Sequence, residues 1–249
     1  MSEDTKYHHA HMRSIKKAIQ RALERRFHVR VYSTRPHGRD DCNDLRNSGA
    51  PFTTIFDVGA NDGGSALKFH EAFPHAIIHS FEPVRRTFDE LTRATQHIAN
   101  VHRHQLALGS TPGEATIYLT EHSVTSSLVA PEHSTGSETV RVTTVDAFAH
   151  EQQIPRIDLL KVDAEGFDLE VLRGATSLLA SGAVSFVLAE VGLHRGDGRH
   201  VLFDEVRDFL AQHRFAVYGF YDQQLEWSGE NRLRYANVCF AHSSVATLR

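Results

Sequence analysis

The chain has 249 residues, 41% hydrophobic and 23% charged, with a net charge of −4 at pH 7; this is an ordinary globular composition with enough apolar side chain for a sizeable core, and it excludes a disordered chain. No run approaches the ~18 to 20 apolar residues of a membrane-spanning helix, and Met1 to Ala10 lacks the apolar stretch and cleavage site of a secretory signal, so a cytoplasmic protein without a transmembrane segment is expected. The charge is uneven, with a net +6 between Arg13 and Arg30 and −10 on the remainder, a poor electrostatic footprint for a nucleic-acid binder.

In chain order, His8, His9 and His11 fall in a polar stretch that reads as a solvated tail. From Met12 to Phe27, Ile15, Ile19, Leu23 and Phe27 recur every four positions, which predicts an amphipathic helix with a basic outer face. Such a helix packs on the main domain, or lies on a membrane surface or recruits an acceptor. Thr34 to Pro51 is rich in Pro, Gly, Asp, Asn and Ser and reads as a connector. Two domains are therefore expected: residues 1–51, the basic helix and its linker, and residues 52–249, the catalytic unit. Cys42 and Cys239 are far apart and outside any C-x-x-C, and both are expected as reduced thiols.

Beyond Phe52, short β-branched runs alternate with helical periodicity, the pattern of βαβ units and a mainly parallel sheet. Parallel strands are predicted at Thr53 to Val58, Ala76 to Phe81, Val101 to Ala107, Ile157 to Val162 and Val184 to Glu190. Helices are predicted at Ser65 to Phe73, Arg85 to Ile98, Phe167 to Ala180 and Leu202 to His213. Phe215 to Tyr221 and Tyr235 to His242 form a closing pair that brings the sheet to seven strands. Thr116 to Thr120 and Glu138 to Thr143 read as an extra β element.

The first strand runs into Asp57-Val58-Gly59-Ala60-Asn61-Asp62-Gly63-Gly64, a Gly-rich turn before a helix. In an open α/β sheet such a turn lets a nucleotide-like ligand approach the backbone. Asn61 stands where G-x-G-x-x-G needs its second glycine, and Asp57 and Asp62 repel phosphate while suiting the amino end of a nucleoside amino acid. A purely structural turn is the alternative. Twenty-five residues after Asp57, Glu82 ends the second strand beside Pro83, placed to accept hydrogen bonds from ribose hydroxyls. Ala107 and Leu108 end the third strand and suit an adenine ring. Lys161, Asp163 and Glu165 crowd the end of the fourth strand, where they pair structurally or bind something.

These segments, with Val171-Leu172-Arg173-Gly174, resemble the FkbM family of methyltransferases over roughly Phe52 to Ala241. The resemblance implies a class I, Rossmann-like α/β fold with a seven-stranded, mostly parallel sheet. It implies S-adenosylmethionine as methyl donor, and O-methylation of a hydroxyl on a sugar, glycan or secondary metabolite. Thr125-Ser126-Ser127-Leu128 matches a hydroxyl-rich stretch of similar proteins. Asp57, Gly59, Asn61, Gly63, Glu82, Pro83, Ala107, Leu108 and Asp163 are the expected cofactor positions. Lys161, Asp163, Glu165 and His194 are the expected catalytic ones, with Asp163, Glu165 or His194 as base and Lys161 fixing orientation or charge. Glu190 is a further pocket candidate. Acceptor choice is expected in the stretches Ser110 to Thr139, Gly192 to Arg199 and Asp222 to Arg234, the last containing Trp227. No ligand spacing requires a metal, and oligomeric state is not encoded in any pattern. A nicotinamide-dependent oxidoreductase or other sugar-modifying enzyme, and a non-catalytic interaction module, are the competing readings.

Overall fold

The computed structural model describes residues 37–119, 136–195, 199–226 and 231–245, together with Arg26 and Gly229. The expected N-terminal helix (apart from Arg26, which is helical), the histidine cluster, Thr125 to Leu128 and Trp227 lie outside the described residues. The chain divides into a unit of residues 1–39 and one of residues 40–249, and the second carries the fold.

Its elements in order are α1 (Asp41–Asn47), β1 (Thr54–Val58), α2 (Gly64–Ala72), β2 (Ile77–Phe81), α3 (Arg85–Thr95), β3 (Val101–His104), β4 (Ala107–Leu108), β5 (Gly113–Leu119), β6 (Gly136–Thr143), α4 (Val145–Glu151), β7 (Ile157–Val162), α5 (Asp168–Arg173), α6 (Thr176–Ala180), β8 (Val184–Gly192), α7 (Phe203–Gln212), β9 (Phe215–Leu225) and β10 (Leu233–His242). The main sheet has seven strands in the order β3-β2-β1-β7-β8-β10-β9, with β10 antiparallel to both neighbours. Strands covered by helices on both faces bury nearly every residue, which is why β7 and β8 read as continuous apolar runs. Ile55, Leu159, Phe186 and Leu188 face α1, α2 and α3, whereas Phe56, Leu160 and Val187 face α4 to α7.

Four departures from the sequence reading have local causes. The presumed connector contains α1, whose N-cap Asp40 accepts the Asn43 N–H at 2.8 Å. Leu45 of α1 is wholly buried, and the Asp44 carboxylate accepts from Tyr221 Oη at 3.0 Å, so this helix is part of the core. The predicted third strand stops at His104, because β4 leaves the main sheet to pair with β6 in a three-stranded sheet. The predicted helix Phe167 to Ala180 is two helices. Gly174 gives its carbonyl to Asp146 N–H at 2.9 Å, and the Asp146 carboxylate then caps Ser177 N–H at 2.8 Å and Leu178 N–H at 3.1 Å. Asp146 belongs to α4, unassigned from sequence although Thr144 caps it and Val145, Phe148 and Ala149 form its buried face. Both cysteines are free and buried, and burial pushes the Cys42 thiol up to about 12.

The strand order reverses direction between β1 and β7, so the turns leaving these strands diverge and open a crevice. One buried cation ties the two strands there. Lys161 Nζ donates to Gly59 O at 2.9 Å and stands 3.3 Å from both Asp57 Oδ1 and Asp163 Oδ2. Burial alone would depress its ammonium, but Asp163 and Asp57 together hold it above the ordinary lysine value.

Two stability measurements check this account. Leu45→Ala should lower unfolding free energy by about 2–5 kcal/mol in chemical denaturation, as core truncation does; a loss below about 0.5 kcal/mol would make α1 a mere tether. Lys161→Met should cost about 3–5 kcal/mol because Asp57 stays buried without its cation. That cost should be smaller at pH 5 than at pH 8, since an uncompensated buried carboxylate takes up a proton and the penalty falls as pH falls.

Candidate active site

A cleft opens beyond the carboxyl ends of β1, β2 and β7, lined mainly by apolar side chains with a few convergent polar groups, as small-molecule sites are. Its floor is backbone. Gly59, at φ +72°, passes so close to Asp163 that a Cβ would stand 1.8 Å from the Asp163 carbonyl oxygen, so only glycine fits. Gly59 N–H and Ala60 N–H both donate to Phe81 O at 3.0 Å, which draws the turn across to β2. Asn61 follows at φ +48°, and its N–H donates to Glu82 Oε2 at 3.1 Å.

Glu82 is clamped from both sides, since Val84 N–H donates to Oε1 at 2.9 Å. The side chain lines the cleft although only 7% of the residue is exposed. Burial outweighs these backbone donors and pushes its carboxyl up to about 7. Next to it, Leu106, Ala107, Leu108 and Ile117 form an apolar wall, with Ile117 delivered by the small sheet.

The opposite wall is the turn after β7. Asp163 N–H donates to Val58 O at 3.1 Å, and Glu165 and Gly166 take φ of +48° and +93°. Asp168 stabilises this bend by accepting from Ala164 N–H and Gly166 N–H, both at 3.3 Å. Burial, then the charge of Asp163, pushes the Asp168 carboxyl up to about 7. Burial and Asp163 likewise raise Glu165, partly opposed by Arg199, whose Nη2 lies 3.3 Å from Glu165 Oε2.

Of the residues singled out in the sequence, the structure brings together Gly59, Asn61, Glu82, Pro83, Ala107, Leu108, Asp163 and Glu165 as cleft lining. It sets Asp57 and Lys161 beneath the floor. The Asp57 carboxylate is fully buried and engaged by Ser65 Oγ at 2.7 Å and by Lys161, so the protein itself occupies the group expected to meet a ligand. Gly63 is the left-handed N-cap of α2, packed on Leu91 of α3. His194 is not part of the lining and pairs with Glu226, whose Oε1 is 3.6 Å from Arg232 Nε. Sequence reasoning missed Asp168 and His200, and it placed Arg199 in an acceptor stretch without its pairing to Glu165; Tyr235 was read only as the start of a strand. For Asp168 a signal existed, an acid in the first turn of a helix directly after a Glu-Gly bend; the others depend on contacts across the fold. Among the described residues no three His, Cys, Asp or Glu side chains gather as a metal site, and no helix is long and apolar enough to cross a membrane.

A family model described as the methyltransferase FkbM domain matches residues 57–217. Methyltransferase 1 of Beauveria bassiana is 30% identical over 160 residues, 54% of this chain and 63% of that protein. The hexuronic acid methyltransferase AglP of Haloferax volcanii is 32% identical over 139 residues, 55% of each chain. The chain thus spans less than two thirds of the length of these relatives. Among solved structures, an rRNA methylase from Streptococcus thermophilus has a TM-score of 0.48 at 9% identity, covering 81% of this chain and 93% of that one. TrmK of M. capricolum, in complex with S-adenosyl-homocysteine, also has a TM-score of 0.48 at 9% identity, over 81% and 67%. On the extent of the family match, the chain belongs to the FkbM family of methyltransferases, whose methyl donor is S-adenosylmethionine.

Proposed function

We propose that this chain transfers a methyl group from S-adenosylmethionine to a hydroxyl of a saccharide or another hydroxylated small molecule. The observation that carries this reading is the charge of the cleft. Among the described residues that line it are three carboxylates, Glu82, Asp163 and Glu165, and no Lys, Arg or His. Such a lining attracts a cationic ligand and repels a diphosphate, which disfavours a nicotinamide dinucleotide and a nucleic-acid acceptor alike.

The residues present fit the donor. Each Glu82 oxygen receives one backbone N–H and so keeps lone pairs free for ribose hydroxyls. The apolar wall of Leu106, Ala107, Leu108 and Ile117 suits a flat base, and Asp163 suits a positive charge. Bound there, S-adenosylmethionine supplies an electrophilic methyl carbon. The protein's own part is to align the acceptor oxygen and to take its proton. Asp163 is tied to Lys161 at 3.3 Å. Glu165, raised by burial and by Asp163, is the better base, since a carboxyl closer to neutrality accepts a proton more readily. A relative that methylates a hexuronic acid supports a saccharide acceptor, and Arg199 beside Glu165 offers a cation for an acidic sugar.

Calorimetry with S-adenosylhomocysteine tests the donor site. An ionised Glu82 accepts from ribose hydroxyls more strongly than a neutral one, and burial pushes the Glu82 carboxyl up to about 7. Affinity should therefore rise between pH 6 and 8 and then level off. Glu82→Gln should weaken binding by about tenfold or more and flatten this dependence. Tight binding of NAD with none of S-adenosylhomocysteine would sink the proposal. Once an acceptor is found among hydroxylated sugars, Glu165→Gln should cut kcat by about 10²–10⁴ with donor affinity retained; an unchanged kcat removes Glu165 as base.

A further inference from the structure

If Glu82 and the wall beside β4 hold the nucleoside, the cleft's other side, at the ends of β7 and β8, is left for the acceptor. Several contacts from distant parts of the chain converge there. In the sheet register Val162 stands beside Ala189, which sets Asp163 and Glu190 next to each other on neighbouring strands, and Glu190 lies opposite Asn237 of β10. His200 Nε2 is 2.9 Å from Glu190 Oε2, with both side chains largely buried. The imidazole also stacks on Tyr235, with ring centroids 4.5 Å apart and planes inclined by 22°. Backbone contacts add to this, since Gly192 N–H donates to Val201 O at 2.9 Å and Leu202 bridges to Gly192. Residues 200–202 are thereby fixed to β8 and β10.

Arg199 is the next residue back. Its carbonyl oxygen would stand 2.8 Å from a Cβ on Gly166, so the segment rests on the very turn that presents Glu165. Its guanidinium reaches Glu165 Oε2 at 3.3 Å. A half-exposed pair of long side chains gains little by itself, because ordering them opposes the attraction. Fixing the backbone of one partner removes part of that cost.

We propose that Glu190, His200 and Tyr235 form a clamp that positions Arg199 against Glu165 at the acceptor-facing edge of the cleft, with His200 a positioning residue for the base. The acceptor-facing role rests on the methyl-transfer reading above; the clamp itself does not. Its consequence is that the orientation and charge of Glu165 are set from a residue that does not line the cleft.

Carbon-13 NMR of the glutamate carboxyls in the full-length protein reads the pairing without any acceptor, the Glu165 signal being identified by its loss in Glu165→Gln. Arg199→Ala should raise the Glu165 titration midpoint by about 0.5 pH or more, because a neighbouring cation favours the carboxylate. His200→Ala should raise it as far, and the double variant no further, since His200 acts through Arg199. His200→Gln keeps a donor towards Glu190 and Tyr235→Phe keeps the ring, so both should stay near wild type, whereas Tyr235→Ala should follow His200→Ala. A midpoint unmoved by His200→Ala, or additive effects in the double variant, overturns the clamp. Should His200→Ala fail to fold, an equal midpoint in Tyr235→Ala and Tyr235→Phe overturns it instead. S-adenosylhomocysteine titrated into the same wild-type sample separates the two ideas: absence of binding removes the methyl-transfer reading and with it the acceptor-facing role, while the Glu165 titrations still decide the clamp.

Discussion

The ammonium of Lys161 is what allows the crevice between β1 and β7 to exist in its present form. Two carboxylates, Asp57 and Asp163, and the Gly59 carbonyl converge on it from adjacent strands. Without a cation, the two acids on one sheet face would repel and one would stand in the core unpaired. With it, the turns after β1 and β7 are held so close that Gly59 and Asp163 touch through backbone atoms. The Asp163 carboxylate is thereby presented at the cleft while Asp57 is retained below. The order of the sheet creates the opening, and this ion cluster sets its width.

Above that floor the cleft holds a deliberate imbalance. Glu82 and Asp168 are both buried enough to titrate at about 7. A carboxyl raised in the folded state favours folding most when protonated, and this contribution is lost as pH climbs from the ordinary carboxylate range to about 7. At neutral pH the protein therefore carries acidic groups that are only partly compensated by backbone donors. Hydroxyl donors on a ligand would relieve that cost at Glu82. Asn61 and Glu165, both non-glycine residues with left-handed backbones, flank the same cleft. Such conformations persist where the surrounding structure over-determines them, and here the Glu82 and Asp168 carboxylates supply that constraint by accepting backbone N–H groups of the two turns.

How much of this was legible in the sequence follows from where each feature's cause lies. The central strands β1, β7 and β8 were recognisable because burial on two faces leaves apolar runs, and Gly59, Asn61 and Glu82 because a tight turn and a strand-end acid are local signals. Two short helices escaped, α1 because its Asp and Asn content is that of a loop and α4 because seven residues are too few to show a helical period, and both are tied to remote parts of the chain: Tyr221 donates to Asp44, and Asp146 caps α6. Asp57 looked like a ligand group because sequence gives a residue's position along a strand, not its depth. Lys161 and Asp163 were read as crowding one strand end, and the two-residue period of a strand sets them on one face, where they pair at 3.3 Å. That Lys161 also reaches Asp57 depends on strand order, which periodicity does not encode.

The same distinction separates the two halves of the cleft. Glu82, Asn61 and the wall around Leu108 come from one stretch of chain and are set by backbone hydrogen bonds within the sheet and its turns. The side at the ends of β7 and β8 is set by side-chain pairs between distant segments: Glu165 with Arg199, Glu190 with His200. At its flank, His194 with Glu226 ties the segment after β8 to the β9–β10 pair. Backbone-held geometry tolerates few changes, because a substitution such as one at Gly59 displaces a strand. A side-chain pair can be exchanged for another without moving the sheet beneath it. A fold arranged in this way keeps the Glu82 side of the cleft fixed while the opposite side can exchange its side-chain pairs above an unmoved sheet.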